Sequence, residues 1–371
     1  MQKHKLLDPI RLGDLELKNR VVMAPMTRAR AANPELVPND LMAEYYSQRA
    51  SAGLQITEGT WVNRDGIGFI NVPGLFSDAQ TQGWKKIVEA VHKKGGKIFS
   101  QLGHLGPIAG PEFTGGEAPL GPSAINANFQ YFSPTGPKPT VTPRAMTLDD
   151  IKRTVADYRT AGTNAKKAGF DGVEVHGAML YLIPSFLNPI TNKRTDNYGG
   201  SPENRSRFVL EILQGLVDVW GAGRVSLKLS PSLVMGAFVP NNGIIETYEH
   251  LFNRLNDLPL AYAHVINGPG SFDGTPFEKI KDPVGYFRRL YRGILIAGGG
   301  YNQASAEKLL ESNGADLVAF GKHFIANPDL VERFKLGVAL SDPDQATFYQ
   351  GGPEGYTTYK SATDSSFAQR R

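Results

Sequence analysis

The chain has 371 residues, of which 41% are hydrophobic and 20% are charged, and its formal net charge at pH 7 is +4. This composition is typical of a soluble globular protein, and the scattered basic residues argue against binding to nucleic acids or membrane surfaces. The absence of cysteine excludes disulfides, thiolate catalysis and cysteine-ligated metals.

The N-terminal region carries two expectations. Residues 1–9 have no apolar core long enough for a secretory signal, and no later run approaches the ~20 apolar residues of a membrane span. A cytoplasmic location is therefore expected. Residues 10–19 place Gly13 and Asp14 between short apolar segments, a pattern that predicts a β-hairpin plugging the floor of the fold.

Short, continuously apolar segments recur along the chain, and each is followed by a segment that can form a helix. Strands covered on both faces have this pattern. Trp84, Ile87 and Val91 have the spacing of one buried helical stripe, and Ser201 before Pro202 is typical of a helix start. The predicted strands are residues 20–25, 54–60, 97–102, 172–176, 225–231, 262–267, 294–298 and 316–321.

These alternating segments predict a closed parallel (β/α)8 barrel, the TIM barrel, as one domain over residues 1–371. The alternative is an open doubly wound sheet. Short, evenly spaced returns favour the barrel, and no glycine fingerprint follows the first strand. A long insertion after the third strand, residues 105–144, is rich in Gly and Pro, and we expect it to shape the substrate pocket.

The fourth predicted strand ends at His176, and Tyr181 follows in the next loop. Barrel enzymes keep their catalytic groups at this end of the strands. A histidine there can bind or polarise a carbonyl oxygen, and a tyrosine, with an ordinary pKa near ~10, can deliver a proton. His176 and Tyr181 are therefore the candidate catalytic residues.

The last two predicted strands end in glycines. Gly298, Gly299 and Gly300 follow the seventh strand, and Gly321 with Lys322 follows the eighth. This corner of a barrel commonly binds phosphate, because glycines let backbone N–H groups approach the oxygens and a lysine supplies counter-charge. The alternative is that the glycines only form a tight turn. The matching pair on the next strand favours a phosphate site.

Other polar residues give no sign of a second site. No cluster of His, Asp and Glu has the spacing of metal ligands, so no metal is predicted. Glu58 and Glu174 stand on strands, and no spacing argument makes them a catalytic carboxylate pair. His92, His104 and His323 are interpreted as structural or solvated residues.

These features together resemble the old yellow enzyme family of FMN-dependent ene-reductases, which are also NADPH dehydrogenases. The resemblance covers nearly the whole chain, and its separated motifs are specific for the family. In order, they are residues 19–28 (NRVVMAPMTR), 45–54 (YYSQRASAGL), 57–60 (TEGT), 99–102 (FSQL), 194–201 (RTDNYGGS) and 324–330 (FIANPDL).

The resemblance implies a tightly bound FMN, with NADPH or NADH as the reductant. Thr27 would bond the flavin O4 and tune its potential, and Gln101 would bond the pyrimidine edge. Lys228 would place a cation near N1. The other implied FMN contacts are Pro25, Met26 and Gly59 at the ring, and Gly299, Gly300, Gly321 and Lys322 at the phosphate.

The resemblance also implies a small-molecule activated alkene as substrate, reduced in a ping-pong cycle. His176 and the residue at position 179 would clamp the carbonyl oxygen of an enone. Tyr181 would protonate Cα after hydride reaches Cβ. Tyr356 would close the pocket from the C-terminal side. Family members range from monomers to small homo-oligomers.

The chain departs from the family around this pocket. Met179 stands where the family has Asn or His, and a thioether donates no hydrogen bond. Gly103 stands where Trp is common, and Pro107 where Arg is common. Lys228 and Lys322 replace arginines and keep the charge without the planar fork. The expected substrate pocket, with His176, Met179, Gly103 and Tyr356, is therefore larger, more apolar and poorer in donors.

Three interpretations follow from these departures. The first is an ene-reductase that has drifted toward a bulky apolar substrate. The second is a diverged or engineered pocket that uses Tyr181 for a non-redox proton transfer or isomerisation on the flavin platform. The third is a flavin-binding protein with little catalysis.

Overall fold

The computed structural model of the chain describes residues 5–268 and 270–362, so the outer parts of the predicted domain, 1–371, lie outside the described residues. Eight strands close into a parallel barrel, which confirms the predicted fold class. Together with the strands outside the barrel, the strands of the described residues are, in chain order, β1 (Ile10–Leu12), β2 (Leu15–Leu17), β3 (Val21–Met23), β4 (Leu54–Trp61), β5 (Ile98–Gly103), β6 (Leu120–Gly121), β7 (Gln130–Ser133), β8 (Gly136–Pro139), β9 (Arg144–Ala145), β10 (Gly172–Gly177), β11 (Val225–Leu229), β12 (Tyr262–Ile266), β13 (Leu295–Gly298) and β14 (Leu317–Phe320).

The barrel order is β3-β4-β5-β10-β11-β12-β13-β14, with β14 pairing again with β3. Helices follow every barrel strand and cover the outside of the barrel. They are α1 (Asp40–Gln48), α2 (Asp78–Lys93), α3 (Leu148–Lys167), α4 (Leu182–Leu187), α5 (Pro202–Trp220), α6 (Asn242–Leu255), α7 (Phe277–Ile280), α8 (Pro283–Arg288), α9 (Gln303–Glu311), α10 (Lys322–Ala326) and α11 (Leu330–Leu336).

The helices begin and pack as their sequences predict. Ser201 precedes α5, and its hydroxyl accepts the N–H of Asn204, which satisfies one of the free donors at the helix start. Trp84, Ile87 and Val91 are fully buried on one face of α2. Burial of such a stripe, rather than intrinsic helix propensity, supplies most of the stability of a surface helix.

The predicted N-terminal hairpin is also confirmed. β1 and β2 pair antiparallel around a turn at Gly13, whose φ of +59° favours glycine. Leu12 and Leu17 are buried in one apolar cluster with Leu54 and Leu317, which stand at the beginnings of β4 and β14. The hairpin therefore covers the N-terminal end of the barrel and leaves the opposite end for function.

The insertion after β5 forms a layer over that functional end. β7 and β8 pair as an antiparallel hairpin, and β6 pairs with β9. Tyr131 of β7 is buried, whereas Phe132 beside it is 44% exposed. The insertion therefore contributes aromatic rings to the rim of the barrel mouth, as the sequence predicted for a pocket-shaping segment.

Buried arginines attach the C-terminal segment to the same end. The Arg28 guanidinium donates to the carbonyl oxygens of Phe348 at 3.1 Å and Gly355 at 3.0 Å. Arg30 donates to the carbonyl of Thr347 at 2.7 Å. Arginine offers five donors in a fixed fork, which suits it to several carbonyls at once. These bonds fix the path of residues 347–355 across the barrel mouth.

Among the described helices, none combines the length and the apolar character that crossing a lipid bilayer requires.

Candidate active site

A cavity of about 570 Å³ opens at the C-terminal ends of the barrel strands. This size lies in the usual range for small-molecule sites. Most of its wall is apolar, with a few polar groups converging on it. Its lining includes Pro25, Met26, Thr27, Gly59, Trp61, Phe69, Gln101, Phe129, Tyr131, Phe132, His176, Met179, Tyr181, Lys228, Met235, Gly321, Lys322, Phe348 and Tyr349.

Most of the site residues predicted from the sequence line this cavity. The candidate catalytic residues His176 and Tyr181 line it together with Met179. Of the predicted cofactor residues, those in the lining are Pro25, Met26, Thr27, Gly59, Gln101, Lys228, Gly321 and Lys322. Gly299 and Gly300 lie outside this lining, on the exposed loop after β13.

His176 offers one hydrogen-bond donor to the cavity. The backbone N–H of Ala178 donates to its Nδ1 at 3.3 Å, so in the neutral ring the proton is on Nε2. Burial holds the pKa of His176 far below its usual range, and the charges of Lys228 and His264 lower it further. The ring is therefore neutral at physiological pH and donates through Nε2–H.

Tyr181 lies against His176, with their ring centroids 4.7 Å apart in an edge-to-face arrangement. Its backbone immediately precedes α4. Burial raises the pKa of Tyr181 to about 12, with Tyr349 adding to the effect, so the phenol keeps its proton at neutral pH. Within residues 5–268 and 270–362 no group pairs with this hydroxyl, which leaves it available to a ligand.

Met179 has a left-handed backbone conformation, with φ at +64°. This region is strained for a methionine and is adopted far more readily by Asn or Gly. The Met179 N–H donates to the Ser230 hydroxyl at 2.8 Å, which holds the strained turn in place. The side chain contributes a thioether to the cavity and no hydrogen-bond donor.

Two glycines leave parts of the cavity wall without side chains. Gly59 has no Cβ, and one built there would lie 3.6 Å from Gln101 Oε1 and 3.7 Å from His176 Cδ2. At Gly321 a Cβ would approach Met26 Sδ to 3.6 Å. Side chains at these two positions would project into the space that the cavity now leaves open, so the residues present fit a flat polycyclic group such as FMN.

Two lysines supply positive charge to the cavity. Lys228 is buried on β11, and burial lowers its pKa, although the charge of Glu174 opposes that effect. Lys322 is exposed at the rim, where α10 begins after Gly321. A flavin nucleotide carries negative charge on its phosphate and accumulates it on the ring when reduced, so both cations suit it.

The loop after β13 is a tight turn that requires glycine. Gly299 and Gly300 have φ values of +106° and +89°. A Cβ on Gly299 would come within 2.9 Å of the Asn267 carbonyl oxygen, whereas Gly300 has no neighbour within 4 Å. Backbone at Gly300 is therefore open to a ligand, and its part in a phosphate site stays a prediction.

Two predicted substrate residues lie elsewhere. Tyr356 is fully buried and stacks on Tyr45, with ring centroids 4.1 Å apart. The prediction that Tyr356 lines the pocket is therefore wrong. Its contacts with Arg28 and Arg49 hold the ring inside the protein. Phe348 and Tyr349 line the cavity instead. Gly103 lies behind His176, where a Cβ would sit 3.7 Å from His176 Cβ, and it does not line the cavity.

The aromatic rings at the cavity mouth were not predicted from the sequence. Phe69 packs against Phe132 and Tyr349, with ring centroids 5.2 and 5.5 Å away. Tyr349 is 43% exposed, as expected for a ring at the edge of an opening. The available signal was the high aromatic content of the segment 129–132 inside a Gly- and Pro-rich insertion.

Glu58 is a buried carboxylate next to the wall residue Gly59. Its Oε2 accepts the backbone N–H groups of Arg28 and Ala29, both at 3.2 Å, and the Tyr46 hydroxyl contacts its Oε1. Burial raises the pKa of Glu58 to about 7, although these N–H bonds and the Arg28 charge oppose that rise. The folded protein therefore binds this proton more tightly than the unfolded chain does.

We expect Glu58 to make stability fall as the pH rises from about 4.5 to about 7. Glutamine does not ionise, so the Glu58→Gln variant lacks this loss of stability. Its free energy of unfolding should therefore rise relative to that of the wild type between pH 4.5 and 7, by up to about 3 kcal/mol. Urea unfolding at several pH values measures the difference. Glu89→Gln, on the exposed face of α2, is the control for loss of a carboxylate. A constant difference between Glu58→Gln and wild type would contradict the prediction.

Comparison with known families identifies related proteins over almost the whole chain. A profile of the family described as NADH:flavin oxidoreductase / NADH oxidase matches residues 5–341. The protein named putative 12-oxophytodienoate reductase 3 from Oryza sativa subsp. japonica is 40% identical over 359 residues. That match covers 95% of this chain and 92% of the relative.

Solved structures give the same result. A structure of morphinone reductase in complex with tetrahydroNAD superposes with a TM-score of 0.90 at 42% identity, covering 100% of both chains. The structure of the old yellow enzyme homologue from Zymomonas mobilis superposes with a TM-score of 0.90 at 38% identity, covering 96% of this chain and 99% of that one. These matches extend over the barrel, the insertion and the cavity.

Proposed function

The chain belongs to the old yellow enzyme family of FMN-dependent NADH:flavin oxidoreductases, and we propose that it reduces the carbon–carbon double bond of activated alkenes such as enones. A nicotinamide is the reductant, and NADH and NADPH are both candidates. The observation that carries the proposal is the pair of free donors, His176 Nε2–H and the Tyr181 hydroxyl, side by side in one cavity. Two similar proteins are named 12-oxophytodienoate reductase and morphinone reductase, and these names support activated alkenes as the substrate class.

We propose that the cavity wall holds FMN within a single barrel domain. Gly59 and Gly321 leave room for the ring because they carry no side chain, and Thr27 and Gln101 provide polar contacts for it. Lys228 and Lys322 supply positive charge, with Gly299 and Gly300 completing the phosphate corner at the rim. FMN held by these residues would supply the hydride chemistry between the nicotinamide and the alkene Cβ, and two separate half-reactions of this kind would make a ping-pong cycle.

His176 stabilises the charge that develops on the substrate. Hydride addition at Cβ builds enolate charge on the carbonyl oxygen, and a preformed donor lowers the barrier where that charge appears. The neutral His176 ring presents Nε2–H without a competing protein partner in the described residues. Position 179 supplies no further donor to this oxygen in this chain, because it is methionine.

Tyr181 completes the reaction by giving its proton to Cα. Its pKa of about 12 keeps the phenol protonated across physiological pH, and the developing enolate carbon is the stronger base during the reaction. The contact with the His176 ring holds the phenol beside the carbonyl site. The tyrosinate then regains a proton from solvent through the open mouth.

The character of the wall supports a bulky apolar substrate. Met179 and Met235 supply flexible thioethers, and Phe132 and Tyr349 supply aromatic surface at the mouth. Thioethers adapt to irregular shapes but hold no polar group in place. We therefore propose that substrate selectivity depends on apolar fit more than on hydrogen bonding.

Product analysis with 2-cyclohexenone tests the proposal. Purified protein reconstituted with FMN is incubated with NADPH or NADH, and cyclohexanone is measured together with nucleotide consumption. We expect one nucleotide oxidised for each cyclohexanone formed. Conversion of an alkene without nucleotide consumption would instead establish the non-redox proton transfer, and binding of FMN without any conversion would establish a flavin-binding protein.

A further inference from the structure

Glu174 is a fully buried carboxylate at the base of the cavity, on β10, where two side chains from other barrel strands converge on it. The Gln101 amide nitrogen, Nε2, lies 2.7 Å from Glu174 Oε1. His264 Nδ1 lies 2.9 Å from Glu174 Oε2. Both carboxylate oxygens are therefore bonded, one on each side, to residues of β5 and β12.

This contact fixes the orientation of the Gln101 amide. Burial raises the pKa of Glu174, but the charge and hydrogen bond of His264, then Lys228 and Gln101, outweigh it and keep the carboxyl ionised. An ionised carboxylate only accepts hydrogen bonds, so the Gln101 NH2 must face it. Gln101 Oε1 is then turned toward Gly59 and the cavity, and accepts no hydrogen bond from the described residues.

Lys228 gives the same network a positive charge. It stands on β11 in register with His176 of β10 and His264 of β12. Glu174 is the anion that opposes the burial of Lys228. Glu174 and Lys228 therefore carry opposite charges beneath the cavity, and removal of either one would leave the other less compensated in a low-dielectric site.

An acceptor at this place suits the pyrimidine edge of a flavin. That edge carries one N–H donor between two carbonyl oxygens, so an amide oxygen pairs with the N–H and an amide NH2 does not. Negative charge accumulates on the same ring when it is reduced. A fixed anion behind Gln101 disfavours that charge, whereas Lys228 favours it.

We propose that Glu174 is a positioning residue for the flavin. Its carboxylate commits the Gln101 amide to present an acceptor to the cavity, and its charge offsets that of Lys228 and so restrains the reduction potential of the bound ring. This inference rests on the proposed binding of FMN, and it assigns to Glu174 a role beyond the packing of a buried strand residue.

Glu174→Gln is the decisive variant. Its amide can donate to Gln101 Oε1, which frees the Gln101 NH2 to turn toward the cavity. We expect the affinity for oxidised FMN to fall at least tenfold, measured by titration of the apoprotein. Because an anion is lost, affinity for reduced FMN relative to oxidised FMN should rise about tenfold, which is a midpoint potential roughly 30 mV more positive for a two-electron couple.

Glu174→Asp separates charge from position. It keeps the anion but is one methylene shorter, so Gln101 is no longer held. We expect weaker FMN binding without the positive shift in potential. Ser100→Ala is the matched control on β5, because the buried Ser100 hydroxyl bonds to nothing among the described residues, and this variant should change neither value.

Several outcomes would overturn the inference. They are an unchanged potential in Glu174→Gln, an equal shift in Glu174→Asp, or wild-type FMN affinity in Glu174→Asp. A purely structural role would weaken both redox forms equally and leave the potential unmoved. If Glu174→Gln does not fold, the affinity of Glu174→Asp decides the positioning claim. Failure of the wild-type protein itself to bind FMN would contradict the proposed function.

Discussion

Tyr181→Phe is expected to slow enone reduction by about 10²- to 10⁴-fold, the usual contribution of a positioned general acid. The ring and its packing against His176 stay, and only the proton at the hydroxyl is lost. The half-reaction with NADPH needs no proton from Tyr181, so its rate should change little. Stopped-flow measurement of each half-reaction separates the two effects.

Tyr131→Phe is the matched control for Tyr181→Phe. Tyr131 also lines the cavity, but its hydroxyl donates to Glu112 Oε2 at 2.7 Å and is therefore already paired with protein. Its removal should leave the enone half-reaction close to wild type. If Tyr181→Phe retains more than half of the wild-type rate, the proton at Cα comes from another source and the assignment is wrong.

Met179→Asn is expected to raise kcat/KM for a small enone by about 10- to 100-fold. A lost oxyanion donor commonly reduces turnover by 10²- to 10³-fold, and asparagine at this position would supply one beside His176. Asparagine also adopts the left-handed backbone of position 179, where φ is +64°, more readily than methionine does. The relevant measurement is steady-state reduction of 2-cyclohexenone.

Met179→Gly distinguishes the donor from the backbone. Glycine relieves the left-handed strain but supplies no donor, so it should gain stability without gaining turnover. Equal gains in kcat/KM for the Asn and Gly variants would assign the effect to backbone strain. No gain in either variant would show that the missing donor does not limit the reaction, and would favour the interpretation that the pocket serves other chemistry.

The barrel was predictable because each of its strands is buried on both faces. Segments such as 225–231 and 316–321 are short apolar runs, and the observed strands β11 and β14 lie inside them. Their ends differ by up to two residues, because the sequence does not reveal where ladder hydrogen bonding stops. Cavity residues such as His176 could be predicted as well, because the C-terminal ends of the parallel barrel strands meet at one rim.

The parts that were not predictable depend on contacts distant in sequence. Tyr356 was predicted to line the pocket, but two arginines distant in sequence set its position. The Arg28 guanidinium lies over the Tyr356 ring, and Arg49 donates a hydrogen bond to the Tyr356 carbonyl oxygen. Glu174 had no visible partner in the sequence, because Gln101 and His264 lie 73 and 90 residues away. Only barrel closure brings these strands together.

The separate half-reactions of the reconstituted protein test the central claim most directly. The protein is reduced anaerobically with NADPH or, in a parallel sample, with NADH, freed of nucleotide by gel filtration, and then mixed with 2-cyclohexenone while flavin absorbance is recorded. We predict bleaching in the first step, full recovery in the second, and one cyclohexanone formed for each flavin. Bleaching without recovery, or recovery only when nucleotide is present, would contradict an ene-reductase that works by a ping-pong cycle.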